Sequence, residues 1–243
     1  MPWGKMAYYC AGSSENPLIF LHGSGCDSSD WSKVVARMPP EPCLIMMDFR
    51  GHGSSSAPSE PFTVTELATD VITLAEHLGI QHPILVGHSL GGMVAMIVAQ
   101  KVLRPGALIL VEGWTSLKTA ASAFREPRFF GRLDPLLKTE IQNKSVKTIA
   151  RFQPEVWNYF WQSVRAFDAR EFLESTSLPI YEIYGSLGQT ETTRQNLMIP
   201  SKPNIEVIWL DNAGHYLPVE KPLELAHICQ RVLAQCKERS THE

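Results

Sequence analysis

A chain of 243 residues, 44% hydrophobic and 19% charged, can bury one sizeable core, alone or with a small insert. Its formal charge of −3 offers no basic stripe, which argues against nucleic acid as a partner. No apolar run reaches the roughly 18–20 residues needed to cross a bilayer, and no apolar signal core follows Met1-Pro2-Trp3-Gly4-Lys5, so no membrane span and a cytoplasmic location are expected. Cys10, Cys26, Cys43, Cys229 and Cys236 form an odd, scattered set without a C-x-x-C, as reduced thiols do.

In chain order, strand-like runs come first at Met6 to Cys10 and Leu18 to Leu21. His22-Gly23-Ser24-Gly25 follows the second run directly. A glycine-flanked loop at a strand end can aim a backbone N–H, here that of Ser24, at a ligand. The next strand, Cys43 to Met47, runs into Asp48-Phe49-Arg50-Gly51-His52-Gly53-Ser54-Ser55. His52 with Asp48 has the look of a base and its partner, but the glycines around them read as a packed structural turn. Thr63-Val64-Thr65-Glu66 has the capping-box pattern and opens an amphipathic helix over Val64 to Leu78.

The apolar run Ile84 to Val86 leads into Gly87-His88-Ser89-Leu90-Gly91, and an almost wholly apolar helix follows over Leu90 to Val102. A serine between two glycines at a strand-to-helix junction sits on a sharp turn that lifts its Oγ clear of the sheet. The helix behind it presents unpaired N–H groups, the first from Leu90, to a developing oxyanion. Ser89 is therefore the expected nucleophile, with the Ser24 and Leu90 amides as its oxyanion hole. After the strand Ala107 to Val111, residues Trp114 to Ser175 contain no convincing strand. They carry ten Lys/Arg against seven Asp/Glu and many aromatic residues. This stretch reads as a helical insertion over the strand ends. Phe124, Phe129, Phe130, Trp157, Tyr159, Phe160 and Trp161 would divide between a pocket and the insert's own core.

Two further strands follow, Ile180 to Tyr184 and Glu206 to Leu210, then Asn212-Ala213-Gly214-His215-Tyr216-Leu217-Pro218. Pro222 opens the last helix, Leu223 to Cys236. A histidine on a loop past a strand end can reach a serine on a neighbouring edge and take its proton, so His215 is the expected base. Cys26 is expected as a small packing residue beside the glycine loop. The continuous apolar strands alternating with helices make an α/β fold with a mostly parallel central sheet. Residues 1–113 and 176–243 form its core, and 114–175 the insertion.

The ordered motifs HGSG, DxRGHGxS, GHSLGG and GHYLPVEKP together resemble the α/β-hydrolase superfamily, and within it the small lidded serine hydrolases of carboxylesterase type. The resemblance covers nearly the whole chain outside the insertion. It implies Ser89 as nucleophile, His215 as base, the Ser24 and Leu90 amides as oxyanion hole, and the insertion as a lid or cap. The chain departs from the family at the acid. Most relatives carry Asp three residues after the glycine that ends the penultimate strand, and here that position is Gly188. Some branches place the acid instead at the end of the strand after the nucleophile helix, where this chain has Glu112. Glu112 is the expected acid, with Glu191 second and a bare Ser–His dyad third.

The resulting expectation is a hydrolase without cofactor or metal, acting on a small-molecule acyl substrate: an ester, lactone or thioester. C–C bond hydrolysis or perhydrolysis by the same residues, or a receptor-like ligand-binding protein with little turnover, stand as alternatives.

Overall fold

The computed structural model describes residues 1–13, 17–101, 104–120, 128–190 and 195–240. Among these, seven strands form one sheet: β1 (Tyr8–Ala11), β2 (Leu18–Leu21), β3 (Leu44–Met47), β4 (Ile84–His88), β5 (Ala107–Val111), β6 (Ile180–Gly185) and β7 (Ile205–Leu210). The order across the sheet is β1-β3-β2-β4-β5-β6-β7, with β1 antiparallel to β3 and every other pair parallel. The strands fall where the apolar runs predicted them, within a residue or two at each end.

The central strands are buried on both faces, which is why they read as unbroken apolar runs. Ile19, Leu85, Leu108 and Leu110 face one hydrophobic cluster, shared with α2 (Val64–His77) and α3 (Leu90–Ala99). Phe20, Val86, Ile109 and Val111 face the other, shared with α1 (Ser32–Val35) and, near the C-terminus, a long helix from Pro222 to Ser240. The capping box is formed: Glu66 Oε2 accepts from the Thr63 N–H at 2.6 Å. α3 stops at Ala99, short of its expected end, and Val102 lies outside the described residues. The last helix runs beyond its expected end at Cys236 to Ser240, and its apolar side meets the sheet through Val232, Leu233 and Cys236.

Between β5 and β6 the described residues contain three helices, α4 (Pro135–Ile149), α5 (Pro154–Ala166) and α6 (Arg170–Ser175), and one isolated bridge, Ser116 to Asp168. The Asp134 side chain caps α4, accepting from the Leu136 N–H at 2.7 Å, and Pro135 takes a first-turn position where a missing N–H costs nothing. Val156, Phe160 and Val164 recur every four residues and give α5 a buried stripe. Phe160 stacks on Phe62, with 5.0 Å between ring centroids, and so anchors the insertion to the sheet's own core. A short helix α7 (Leu217–Glu220) precedes the C-terminal α8 (Pro222–Ser240).

β2 has β3 on one side and β4 on the other, so the chain winds outward in both directions from this point. In parallel sheets such a switch leaves a crevice beyond the strand ends, where ligands bind. The loops after β2, β4 and β5 all open at that edge.

Candidate active site

Ser89 lies between β4 and α3 with φ 53° and ψ −116°, a conformation that costs a side-chain-bearing residue about 1–3 kcal/mol. The neighbouring glycines make the turn possible. A Cβ on Gly87 would stand 2.3 Å from the Gly91 carbonyl oxygen, and one on Gly91 would stand 2.2 Å from that of Leu21. The Ser89 N–H donates to the Val111 carbonyl at 2.9 Å, tying the turn to the end of β5. Leu90 is the first residue of α3, so its N–H has no acceptor within the helix.

Ser24 sits in the loop after β2 and shares a cavity wall with Ser89 and Leu90. The loop is braced from beneath by two buried histidines. His22 Nδ1 donates to the Gly23 carbonyl at 2.7 Å, while its Nε2 accepts from the Phe49 N–H at 3.0 Å. His52 Nδ1 donates to the Arg50 carbonyl, and its Nε2 accepts from the Gly25 N–H at 3.2 Å. Burial pushes both well down, His22 to about 4 and His52 to about 3, so each is a neutral imidazole with both nitrogens in use. Asp48 accepts from the Ser28 and Ser54 N–H groups at 2.8 Å each. Asp48 and His52 thus occupy the structural turn predicted for them.

From above, α4 lies against the same loop. A Cβ on Gly25 would stand 2.6 Å from Ser145 Oγ. Lys144 Nζ contacts Asp27 Oδ1 at 2.9 Å and Asp30 Oδ1 at 2.5 Å, and the Arg151 guanidinium donates to the Gly53 and Ser55 carbonyls. Cys26 is buried among these groups with its thiol pushed well up by desolvation, the packing role expected of it.

His215 follows β7. Its N–H donates to the Arg128 carbonyl at 3.2 Å, and a Cβ on the preceding Gly214 would stand 2.2 Å from that same oxygen. Glu220 on α7 holds the loop by accepting from the Gly214 N–H at 3.0 Å. The imidazole is stacked nearly parallel to Trp114, with centroids 4.8 Å apart at 13°, and to Phe129, 5.3 Å apart at 13°. Burial pushes its pKa down, with the Arg128 charge adding to the effect, so the ring is neutral and able to accept a proton.

Glu112, at the end of β5, has φ 50° and no exposed surface. Its Oε2 stands 3.5 Å from His215 Nδ1, and its Oε1 accepts from the Gly185 N–H at 2.9 Å. The first distance exceeds the roughly 3.2 Å of a fully formed N–H···O bond, and such contacts tighten when substrate binds. Burial pushes the carboxyl up to about 7, against the opposing pull of Arg128 and the Gly185 N–H. Gly188 has φ 68° in the turn past β6, and Glu191 lies outside the described residues.

His88, next to the serine, packs beneath the turn, with its Nε2 donating to the His215 carbonyl at 2.9 Å. Ser89, His215, Ser24 and Leu90 all face one cavity of about 500 Å³. Its remaining walls are mostly apolar side chains of α3 and the insertion. Of the aromatic residues expected to divide between pocket and core, Phe129, Phe130, Trp157 and Trp161 line it. Phe160 is core, Tyr159 is exposed, and Phe124 lies outside the described residues.

Three residues with a part in this geometry went unassigned in the sequence. Glu220 stands inside the GHYLPVEKP motif, which was its available signal. Trp114 and Arg128 carry no periodic or motif signal at all.

The chain matches the model of the alpha/beta hydrolase family over residues 18–228, from β2 into α8. It is 26% identical to 3-oxoadipate enol-lactonase 2 of Acinetobacter baylyi, over 93% of this chain and 92% of that protein. It is 28% identical to the soluble epoxide hydrolase of a Corynebacterium species, over 90% of each. Among solved structures, a thermophilic esterase from Thermogutta terrifontis aligns with a TM-score of 0.75 at 21% identity, covering 95% of this chain and 93% of the other. The N-acyl homoserine lactonase AidH complexed with N-butanoyl homoserine aligns with a TM-score of 0.78 at 17% identity, covering 97% and 95%. These two structures share the fold, and the family match takes in every strand but β1. The chain belongs to the alpha/beta hydrolase family.

Proposed function

We propose that the chain is a serine hydrolase that cleaves a small, uncharged ester, lactone or thioester through an acyl-enzyme on Ser89. The observation that carries this reading is that Ser89 and His215, from separate strand ends, line one apolar cavity, with Glu112 buried behind His215, 3.5 Å from its Nδ1. His215 takes the Ser89 hydroxyl proton as Oγ attacks the carbonyl carbon. The Ser24 and Leu90 N–H groups receive the oxyanion, and Glu112 holds the tautomer with a proton on Nδ1 and stabilises the imidazolium. The imidazolium then protonates the leaving oxygen or sulfur, and water resolves the acyl-enzyme by the same route.

The insertion, 114–175, acts as a cap over this site, with Lys144 of α4 clamped to Asp27 and Asp30 past β2, and Arg151, just beyond α4, clamped to the loop after β3. The described residues lining the cavity include no Lys, Arg, Asp or Glu, which suits an uncharged substrate with an apolar acyl group. The named activities of the enol-lactonase relative and of the esterase and lactonase structures support acyl chemistry.

Labelling with a fluorophosphonate tests the reading directly. Wild type should be labelled on Ser89 and should hydrolyse short aryl esters, and Ser89→Ala should do neither. A wild type that resists labelling yet binds acyl ligands tightly would favour the receptor-like alternative.

A further inference from the structure

Arg128 is 4% exposed and is not part of the cavity wall, yet it touches both partners of the proposed acid–base pair. Its Nη2 lies 3.2 Å from Glu112 Oε1 and 3.3 Å from Oε2, so one nitrogen bridges both carboxylate oxygens. Its carbonyl receives the His215 N–H at 3.2 Å and packs against Gly214 too closely for any side chain there. The position where relatives carry their acid is Gly188, and a Cβ built on it would point at the Arg128 Cβ, 3.9 Å away. The relocated carboxylate and this buried cation therefore occupy the same corner of the site.

We propose that Arg128 is a positioning residue: its guanidinium favours the ionised form of the fully buried Glu112 carboxyl, and its carbonyl fixes the loop that presents His215. The inference rests on Glu112 being the triad acid.

The other titratable groups facing the pair do not supply this charge. Glu182 on β6 is pushed up to about 8 and is neutral at neutral pH, and Tyr184 beside it is pushed well up. His88 at the end of β4 is pushed down to about 3 by burial and stays neutral. Glu220 on α7 is raised and offers only negative charge. Among the described groups facing Glu112, Arg128 is the one that carries positive charge at every working pH.

The direction of the effect follows from net charge. With Arg128 present, the active arrangement of ionised Glu112 and neutral His215 is neutral overall, and one more proton leaves a buried positive charge. Without Arg128 the same arrangement is a buried anion that gains a proton readily. Loss of the guanidinium should therefore move the acid limb of the reaction to higher pH.

The rate of fluorophosphonate labelling, followed from pH 5 to 9, reads this without knowledge of the natural substrate. Arg128→Gln should move the midpoint of the acid limb upward by about one pH unit or more, while Arg128→Lys should restore most of the shift. An Arg128→Gln variant slowed evenly at all pH values, with its midpoint unmoved, would overturn the proposal. So would Lys and Gln variants shifted alike.

Should Arg128→Gln not fold, a ¹³C titration of glutamate carboxyls in the wild type decides the matter, with the Glu112 signal assigned by its loss in Glu112→Gln. A Glu112 carboxyl that titrates near 7 or below supports the role, and one still protonated at pH 8 removes it. A wild type unlabelled at every pH counts against Ser89 as nucleophile, and the carboxyl titration still reads Arg128 on its own.

Discussion

Glu112 and His215 meet across two strand ends, carboxylate Oε2 to imidazole Nδ1, at 3.5 Å inside a site with almost no solvent contact. Glu112→Gln keeps the shape but removes the charge that favours the right tautomer and the imidazolium. The rate of ester hydrolysis near neutral pH should fall by a factor on the order of 10³–10⁴. The change also leaves Arg128 buried without its counter-ion, so stability should drop by about 3 kcal/mol or more, measured by urea unfolding. A variant that keeps most of its activity would transfer the acid's role to another carboxylate, with Glu191 the first to test.

Ser89 holds a backbone conformation that suits glycine, φ 53° with ψ −116°. Ser89→Gly should abolish labelling and hydrolysis, yet raise stability by about 1 kcal/mol, since the strain relieved exceeds the entropy glycine adds to the unfolded chain. Ser89→Ala should be equally inactive but should gain no such stability. His215→Ala should nearly match their loss of activity, and a Ser89/His215 double variant should be little worse than either alone, because the two act as one unit. Multiplicative losses, or equal melting temperatures for the Gly and Ala variants, would contradict these assignments.

The parts of this site that were legible in the sequence are those where backbone geometry restricts residue choice. Gly87, Gly91 and Gly214 each sit where a Cβ would collide with a carbonyl oxygen, so the loops around Ser89 and His215 announce themselves as motifs. The apolar runs marked the strands because both faces of the sheet are covered. Glu112 was singled out from its place at a strand end, and it stands 3.5 Å from His215 Nδ1.

What stayed hidden depends on packing between distant segments. Arg128 stands in a stretch with no periodicity, and nothing local distinguishes it from the exposed Arg170, which pairs with Asp168 at the surface. Trp114 likewise gains its role only because the loop after β7 folds back and lays His215 against it. The end of α3 was misplaced because Val102 stands four residues after Val98, at helical spacing, beyond Ala99 where the helix actually stops.

The adjacent aromatic residues Phe160 and Trp161 of the insertion have different surroundings. Phe160 has no exposed surface and stacks on Phe62, whereas Trp161 lines the cavity. Phe160→Ala should cost about 3–5 kcal/mol by calorimetry or urea unfolding, through lost burial and the cavity left behind. Trp161→Ala should cost much less and should instead shift preference among aryl esters toward longer or bulkier acyl chains. An unchanged acyl profile for Trp161→Ala would mean that substrate does not reach this wall.

Glu182 carries the pH dependence of stability that is easiest to isolate. It is fully buried on β6. Its Oε2 accepts from the Tyr184 hydroxyl at 3.0 Å, and its Oε1 finds no hydrogen-bond partner among the described residues. Burial pushes its pKa up to about 8, the Glu112 charge adds to the rise, and the Tyr184 hydrogen bond opposes it. The unfolded chain releases this proton near pH 4.3, by the usual value for glutamate. Between that pH and about 8 the folded state therefore holds one proton more than the unfolded state, and stability falls as pH rises through the window.

Glu182→Gln removes this titration while keeping an acceptor for Tyr184. The variant should match the wild type within about 1 kcal/mol at pH 5 and gain about 4 kcal/mol on it between pH 5 and pH 8, three pH units at about 1.4 kcal/mol each, which raises its relative melting temperature by about 10 °C. Its activity at neutral pH should stay close to wild type, because a protonated Glu182 already presents no charge to Glu112. Melting curves for the two proteins that run parallel from pH 5 to pH 8 would show that Glu182 is ionised in the folded protein, and that a buried anion stands behind Glu112.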